Sequence, residues 1–265
     1  MSAVVIAGAS GFMGRHLVGA FAADGTTVRT IGRRDGDARW GEDLRRTLDG
    51  ADALINLAGR SVSCRYSKRN ADAIFASRTE TTRELGSGFS VAVARAWEHE
   101  LDAAPAPVRK VALRTSIVLG TGGGALNPLV NLARLGFGGT QGDGGQVFSW
   151  IHVDDVYGAI RHVMADGAIE GPVNLATPHP VTNADLMAAV RAHLGLRVGL
   201  PLPAWALEAG AGIIRTEAEL VLKSRWVHPG VLLDTGYAFR YPTIDEALAD
   251  IARRTRRGLL PVQLG

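Results

Sequence analysis

The chain has 265 residues, 46% hydrophobic and 21% charged, with a net charge of +3, a size and balance that suit one large globular α/β domain or such a domain with a small appended lobe. The single cysteine, Cys64, excludes an intrachain disulfide and a cysteine-built metal cage. No run of like charges is long enough for a nucleic-acid arm, and no stretch reaches the roughly 18–20 apolar residues of a membrane span.

The apolar run Ala3–Ala9 is too short for a signal peptide and leads straight into glycine, so the expected setting is the cytoplasm. Val4–Ala7 reads as a buried parallel strand and Gly14–Ala23 as a helix carrying Leu17, Val18 and Phe21. Thr26–Ile31 is a second strand, Leu44–Leu48 a short helix and Ala53–Leu57 a third strand. This alternation yields a parallel sheet with right-handed crossovers. Helices are expected from Ser67, which would act as its N-cap, and over Phe89–Leu101, with a strand at Val108–Leu113. Further on come a helix over Leu126–Leu135, one running through Met164 with Asp154 as cap, a strand at Pro172–Leu175, and the helix Ala184–Leu194 capped by Asn183. After Leu200 the composition changes, and "TEAELVLKSRW" and "TIDEALADIARR" predict two amphipathic helices. The expected division is therefore residues 1–199 for a dinucleotide-binding domain and 200–265 for a small helical lobe. The basic "RRTRRG" from Arg253 reads as a solvated helix end that suits the dipole.

Gly8-Ala9-Ser10-Gly11-Phe12-Met13-Gly14 is G-x-x-G-x-x-G between a strand and a helix. The first glycine permits a tight turn, the second lets main chain approach a pyrophosphate, and the third packs helix on strand. Gly8, Ser10, Gly11, Phe12, Met13 and Gly14 are thus cofactor candidates. An NAD site wants a carboxylate at the end of the second strand, to hold the ribose 2′-hydroxyl. Here that strand ends in Gly32, followed by Arg33 and Arg34, whose guanidinium groups suit a 2′-phosphate and favour NADP. Asp35 nearby leaves NAD open, as does a reading of both arginines as solvated. Leu57, Ala58 and Gly59 end the third strand, on the ligand side of a doubly wound sheet.

"GASGFMGRHL", "DALINLAG", "SRTETTREL", "LRTSIVLGTGGGAL", "LGFGGTQGDGGQVFSWIHVDD" and "GYAFRYPTIDEALADI" together cover nearly the whole chain. They resemble the extended short-chain dehydrogenase/reductases. More narrowly, they resemble atypical NAD-dependent epimerase/dehydratase-like proteins that end in a DUF1731-like domain. The resemblance implies a Rossmann-type, doubly wound parallel sheet, NAD(P) binding and a small substrate, nucleotide-linked in some relatives. It implies neither nucleic acid nor a membrane as partner, and leaves a homodimer open.

Two departures stand out. Gly86-Ser87-Gly88 joins "RTETTREL" directly to "FSVAVARAWE", where the family builds a further strand–helix unit of roughly thirty residues. And no tyrosine has a lysine four residues on, the pair that in the family tunes the phenol as a proton donor. Tyr157 and Arg161 share that spacing, but arginine holds its proton too firmly. The catalytic residue is therefore unassigned. Ser61, Thr115, Ser116 and Trp150 are substrate-contact candidates, with Trp150 equally readable as core. Arg114, Ser63, Cys64, Arg225 and Trp226 are weaker ones. The histidines, among them His152, His162, His179 and His193, lack ligand spacing, so no metal is expected; His152 reads as fixing a strand-to-helix turn. The leading expectation is an NADP-dependent oxidoreductase or epimerase-like enzyme, and the alternative a non-catalytic NADP(H) sensor or scaffold.

Overall fold

The computed structural model describes residues 2–40, 43–58, 98–99, 101, 108–207 and 224–255. The expected helices from Ser67 and over Phe89–Leu101, the join at Gly86–Gly88, and most of "TEAELVLKSRW" lie outside these residues, as do Gly59, Ser61, Ser63 and Cys64. Residues 2–58 fall in one compact unit and 109–255 in a second. The sequence-derived boundary at residue 200 therefore falls inside the second unit.

In the first unit, β1 (Ala3–Ala7), β2 (Thr27–Gly32), β3 (Ala38–Arg39) and β4 (Ala53–Asn56) form a parallel sheet ordered β3-β2-β1-β4. Val4, Val5, Ile6 and Ala7 are fully buried, as a central parallel strand covered on both faces requires. The helix α1 (Phe12–Ala23) turns Gly14, Leu17 and Phe21 inward at helical spacing, ends at Asp24 and is followed by Gly25 at φ +75°. A short α2 (Arg45–Leu48) connects β3 to β4. This is the Rossmann-type arrangement the alternation predicts, with strand limits shifted by a residue.

In the second unit, β5 (Val111–Thr115) pairs in parallel with β9 (Gly171–Leu175), and β6 (Ile117–Leu119) with β8 (Trp150–His152). Ser116 hinges β5 to β6: its N–H and hydroxyl both donate to the Leu175 carbonyl, at 2.9 and 2.8 Å. The strand expected at Val108–Leu113 thus begins three residues later. A short antiparallel pair joins β7 (Val147–Phe148) to β10 (Val181–Thr182). Around these strands lie α3 (Leu126–Leu132), which opens into a wider turn through Phe137, α4 (Val153–Ala165), α5 (Asn183–His193), α6 (Gly230–Asp234) and α7 (Ile244–Arg254).

Leu126, Leu129, Trp150, Leu186, Met187, Val190, Leu248 and Ile251 belong to one core cluster. The helix α7 enters it with Ile244, Ala247, Leu248 and Ile251 on a single face, and a reciprocal Thr243–Glu246 box caps it. The C-terminal region is thus mainly helical and shares the core of the strands before it. Among the described residues, no helix is long and apolar enough to cross a membrane.

Two caps differ from expectation. Thr182, not Asn183, caps α5, because the Asn183 side chain is buried and its Oδ1 accepts from the Gln141 N–H at 2.9 Å. His152, not Asp154, caps α4: its Nδ1 accepts from the Asp154 N–H at 3.2 Å.

Candidate dinucleotide-binding site

The loop between β1 and α1 places three glycines for two different reasons. Gly8 has φ +84°, and a Cβ there would sit 2.8 Å from the main chain of Leu57 and Ala58. A Cβ on Gly14 would lie 2.3 Å from the Gly8 carbonyl oxygen. Both glycines are therefore demanded by the protein's own packing. Gly11 is not. Its φ of −73° suits any residue, and among the described residues the nearest atom to a Cβ there is the Gly8 oxygen, at an ordinary 3.4 Å. Gly11 is the N-cap of α1, where serine or aspartate would bind the first amides, yet no side chain caps this helix and its first turn holds no acid. The absent side chain leaves room on the outer face, beside main-chain amides that carry the positive end of the helix dipole.

The loop is held from outside by Arg15, which donates to the Ser10 carbonyl, and from beneath by the Gly8 N–H, which bonds to the Ile31 carbonyl at 3.2 Å. Ser10 and Gly11 are exposed, Phe12 and Met13 half-buried. At the neighbouring edge β2 ends in Gly32, where a Cβ would overlap the Asp35 oxygen at 1.8 Å. That collision, rather than room for a ligand alone, fixes the glycine. The tight turn leaves Arg33 and Arg34 exposed at the carboxyl end of β2. Asp37 is committed to the turn, accepting from the Thr30 N–H and hydroxyl at 2.7 and 3.0 Å. On the other side of β1, Asn56 Oδ1 accepts from the Ala58 N–H at 3.0 Å and folds the end of β4 into a turn, with Leu57 and Ala58 half-buried. Arg15 and Asn56 were missed in the sequence; Asn56 stands directly before the small-residue run that was read.

The candidates of the second unit separate. Thr115 is exposed at the carboxyl end of β5, as is Arg114. The Ser116 hydroxyl is spent on Leu175. Trp150 is fully buried within the core cluster, so its ring has no open face, and the core reading describes it. Trp226 is highly exposed, and the Arg225 N–H and carbonyl bond to Val147 and Ser149.

Side chains that resemble catalytic groups hold the C-terminal region in place. Asp155, 1% exposed, accepts from the Tyr237 hydroxyl at 3.0 Å and from the Arg240 and Tyr241 N–H groups at 2.7 and 2.9 Å. Gly158, one turn on, leaves space for the Tyr237 phenol, which a Cβ would meet at 2.3 Å. His162 bonds to Thr235 at 2.8 Å. Burial pushes Asp155 above the usual carboxylate range despite its three donors, and burial with the Asp155 charge drives the Tyr237 phenol far up. The Tyr241 phenol is raised too, by burial first and then by Asp250. A phenol serving as acid near neutrality needs the opposite displacement.

His152, Asp154 and Asp250 bring potential metal-ligating atoms within 4.8 Å of one another. Arg254 bridges the two carboxylates, its guanidinium 2.6 Å from Asp154 and 2.7 Å from Asp250, while Arg253 pairs with Asp250 at 3.1 Å and Arg240 with Asp154 at 3.8 Å. The basic end of α7 is thus an ion-pair hub at Arg254 rather than a wholly solvated face.

A model of the NAD dependent epimerase/dehydratase family matches residues 4–94, and one of a domain of unknown function (DUF1731) matches 202–251. The human epimerase family protein SDR39U1 is 31% identical over 94% of this chain and 99% of its own length. The chain belongs to this epimerase family. An epimerase family member from Mycobacterium bovis, Mb2239, is 30% identical over 92% of the chain and 96% of its own. The crystal structure of human SDR39U1 (isoform 2) with NADPH matches at a TM-score of 0.84 and 28% identity, covering 96% of this chain and all of that one. A nucleoside-diphosphate sugar epimerase from Corynebacterium glutamicum matches at 0.72 and 28%, over 95% of this chain and 58% of that one. The alignment with the human family member spans 291 positions, more than this chain's 265 residues, so that protein has residues without counterpart here.

Proposed function

We propose that this chain binds NADP(H) at the loop Gly8–Gly14. Gly8, Ser10, Gly11, Phe12, Met13 and Gly14 would meet the pyrophosphate, Arg33 and Arg34 the 2′-phosphate, and Leu57, Ala58 and Gly59 the remaining adenosine and nicotinamide side. The observation that carries this reading is Gly11, whose missing side chain has no packing reason among the described residues. The NADPH in the human relative's crystal structure supports it. Bound there, the cofactor supplies or accepts a hydride. The reading is that of an oxidoreductase or epimerase-like enzyme in the cytoplasm, acting on a small substrate.

A second reading, a non-catalytic NADP(H) sensor or scaffold, is favoured by one observation. The Tyr-x-x-x-Lys pair is absent, and the described phenols of Tyr237 and Tyr241 are displaced upward. Titration of NADPH fluorescence with a carbonyl turnover panel separates the readings. Binding with turnover supports the enzyme, and binding without turnover the sensor. Arg33→Ala with Arg34→Ala should weaken NADPH by about 10- to 100-fold and leave NADH unchanged. Equal loss for both coenzymes would contradict the assignment of the 2′-phosphate.

A further inference from the structure

The loop that carries Arg33 and Arg34 is closed by a side chain standing in for a strand. β3 pairs with β2 at two positions, Ile31 with Ala38 and Gly32 with Arg39, and the Trp40 N–H extends the contact to the Gly32 carbonyl at 3.1 Å. At Thr30, one residue before the pairing begins, Asp37 takes the place of a partner strand. Its N–H donates to the Thr30 carbonyl at 3.0 Å, and its Oδ2 accepts from the Thr30 N–H at 2.7 Å and from the Thr30 hydroxyl at 3.0 Å. One residue thus satisfies both main-chain groups of Thr30 on the β3 side. The chain between them has no slack: a Cβ on Gly32 would lie 1.8 Å from the Asp35 oxygen, and one on Gly36, at φ +139°, 3.1 Å from the Thr30 oxygen.

The tie decides what remains available at the tip of the loop. Arg33 and Arg34 are exposed, and among the described residues neither has an ion-pair partner. The bonds to Thr30 direct the Asp37 carboxylate at the strand and not at these cations. We propose, on the NADP(H) reading above, that Asp37 is a positioning residue for coenzyme discrimination: its tie to Thr30 holds the turn that presents Arg33 and Arg34 to a 2′-phosphate. A turn fixed in advance loses less conformational freedom on binding, and only a ligand with the 2′-phosphate gains from it. A bare charge effect has the opposite sign, since a carboxylate repels a phosphate and its removal would tighten NADPH.

The test is fluorescence titration of NADPH and NADH on the full chain, with the melting temperature of each variant. Asp37→Ala should weaken NADPH about 10-fold, leave NADH within about twofold and lower the melting temperature by no more than about 4 °C. Asp37→Asn keeps an oxygen that accepts from Thr30 and should stay within about threefold of wild type for NADPH. With Arg33→Ala and Arg34→Ala already present, Asp37→Ala should change NADPH affinity by less than about twofold, because nothing is left to position. Unchanged or tighter NADPH binding in Asp37→Ala overturns the proposal, as does an equal loss for both coenzymes, the mark of a merely structural role. Asp37→Asn as weak as Asp37→Ala, or an undiminished loss once both arginines are gone, overturns it too. A wild-type chain that binds neither coenzyme overturns the NADP(H) reading itself, and this assignment with it.

Discussion

The glycine loop of the first unit and the polar clasp of the second treat hydrogen-bonding groups in opposite ways. At residues 8–14 the chain gives up side chains, and the start of α1 has neither cap nor acid. Around α4 it buries His152, Asp155 and Asp250, half-buries Asp154, and meets them from within, through Tyr237, Arg240, Tyr241 and Arg254. The difference separates a surface shaped for a ligand from a set of groups shaped for the fold. A buried Asp beside a Tyr, or a His beside an Asp, resembles chemistry; here each is accounted for by the segment it holds.

The comparison breaks first at Gly14. Gly14→Val places carbon against the Gly8 carbonyl, so it should cost at least about 3 kcal/mol and abolish coenzyme binding, read by thermal melting and NADPH titration. Asp155→Ala comes next. It removes the side-chain acceptor of three donors, leaving the Tyr237 hydroxyl the Asp155 carbonyl alone, and should cost about 2 kcal/mol in denaturant unfolding, with NADPH affinity unchanged because all three donors serve the second unit's own fold. A large loss of affinity in Asp155→Ala would make the clasp part of the site. Arg254→Ala removes the guanidinium that bridges Asp154 and Asp250 and leaves them only the more exposed Arg240 and Arg253, an expected loss of about 1–2 kcal/mol that removing a solvated arginine would not produce.

A smaller effect sharpens the account of Asp155. Its folded pKa lies above the ordinary value, so the folded chain binds this proton more tightly than the unfolded chain does. The contribution of this group is therefore present below the ordinary carboxylate value and falls as pH rises through the folded pKa. Asp155→Asn removes that dependence and should cost about 1 kcal/mol near pH 7, with a wider gap from wild type near pH 4. A gap that narrows on acidification would reverse the sign.

The Rossmann-type sheet was legible because β-branched runs and glycine punctuation are local. β1, β2 and β4 fall within a residue or so of their expected limits, and α7 fits its pattern. Local rules failed where tertiary partners intervened. Asn183 and Asp154 are better caps by type than the residues beside them. Gln141 claims Asn183, however, and the strand β8 delivers His152 to the cap position first. Asp155 as a clasp was invisible for the same reason, since its donors lie some eighty residues further along the chain. The glycine spacing assigns Gly8 to the turn, Gly11 to the ligand and Gly14 to helix packing; packing among the described residues supplies an internal cause for Gly8 and Gly14 and none for Gly11.

That distinction is open to one direct measurement, the NADPH affinity and melting temperature of Gly11→Val side by side. The account predicts a loss of affinity of at least about 100-fold with a stability change of about 1 kcal/mol or less, since among the described residues a Cβ there meets one ordinary contact. Unchanged affinity, or a loss explained entirely by unfolding, would contradict it.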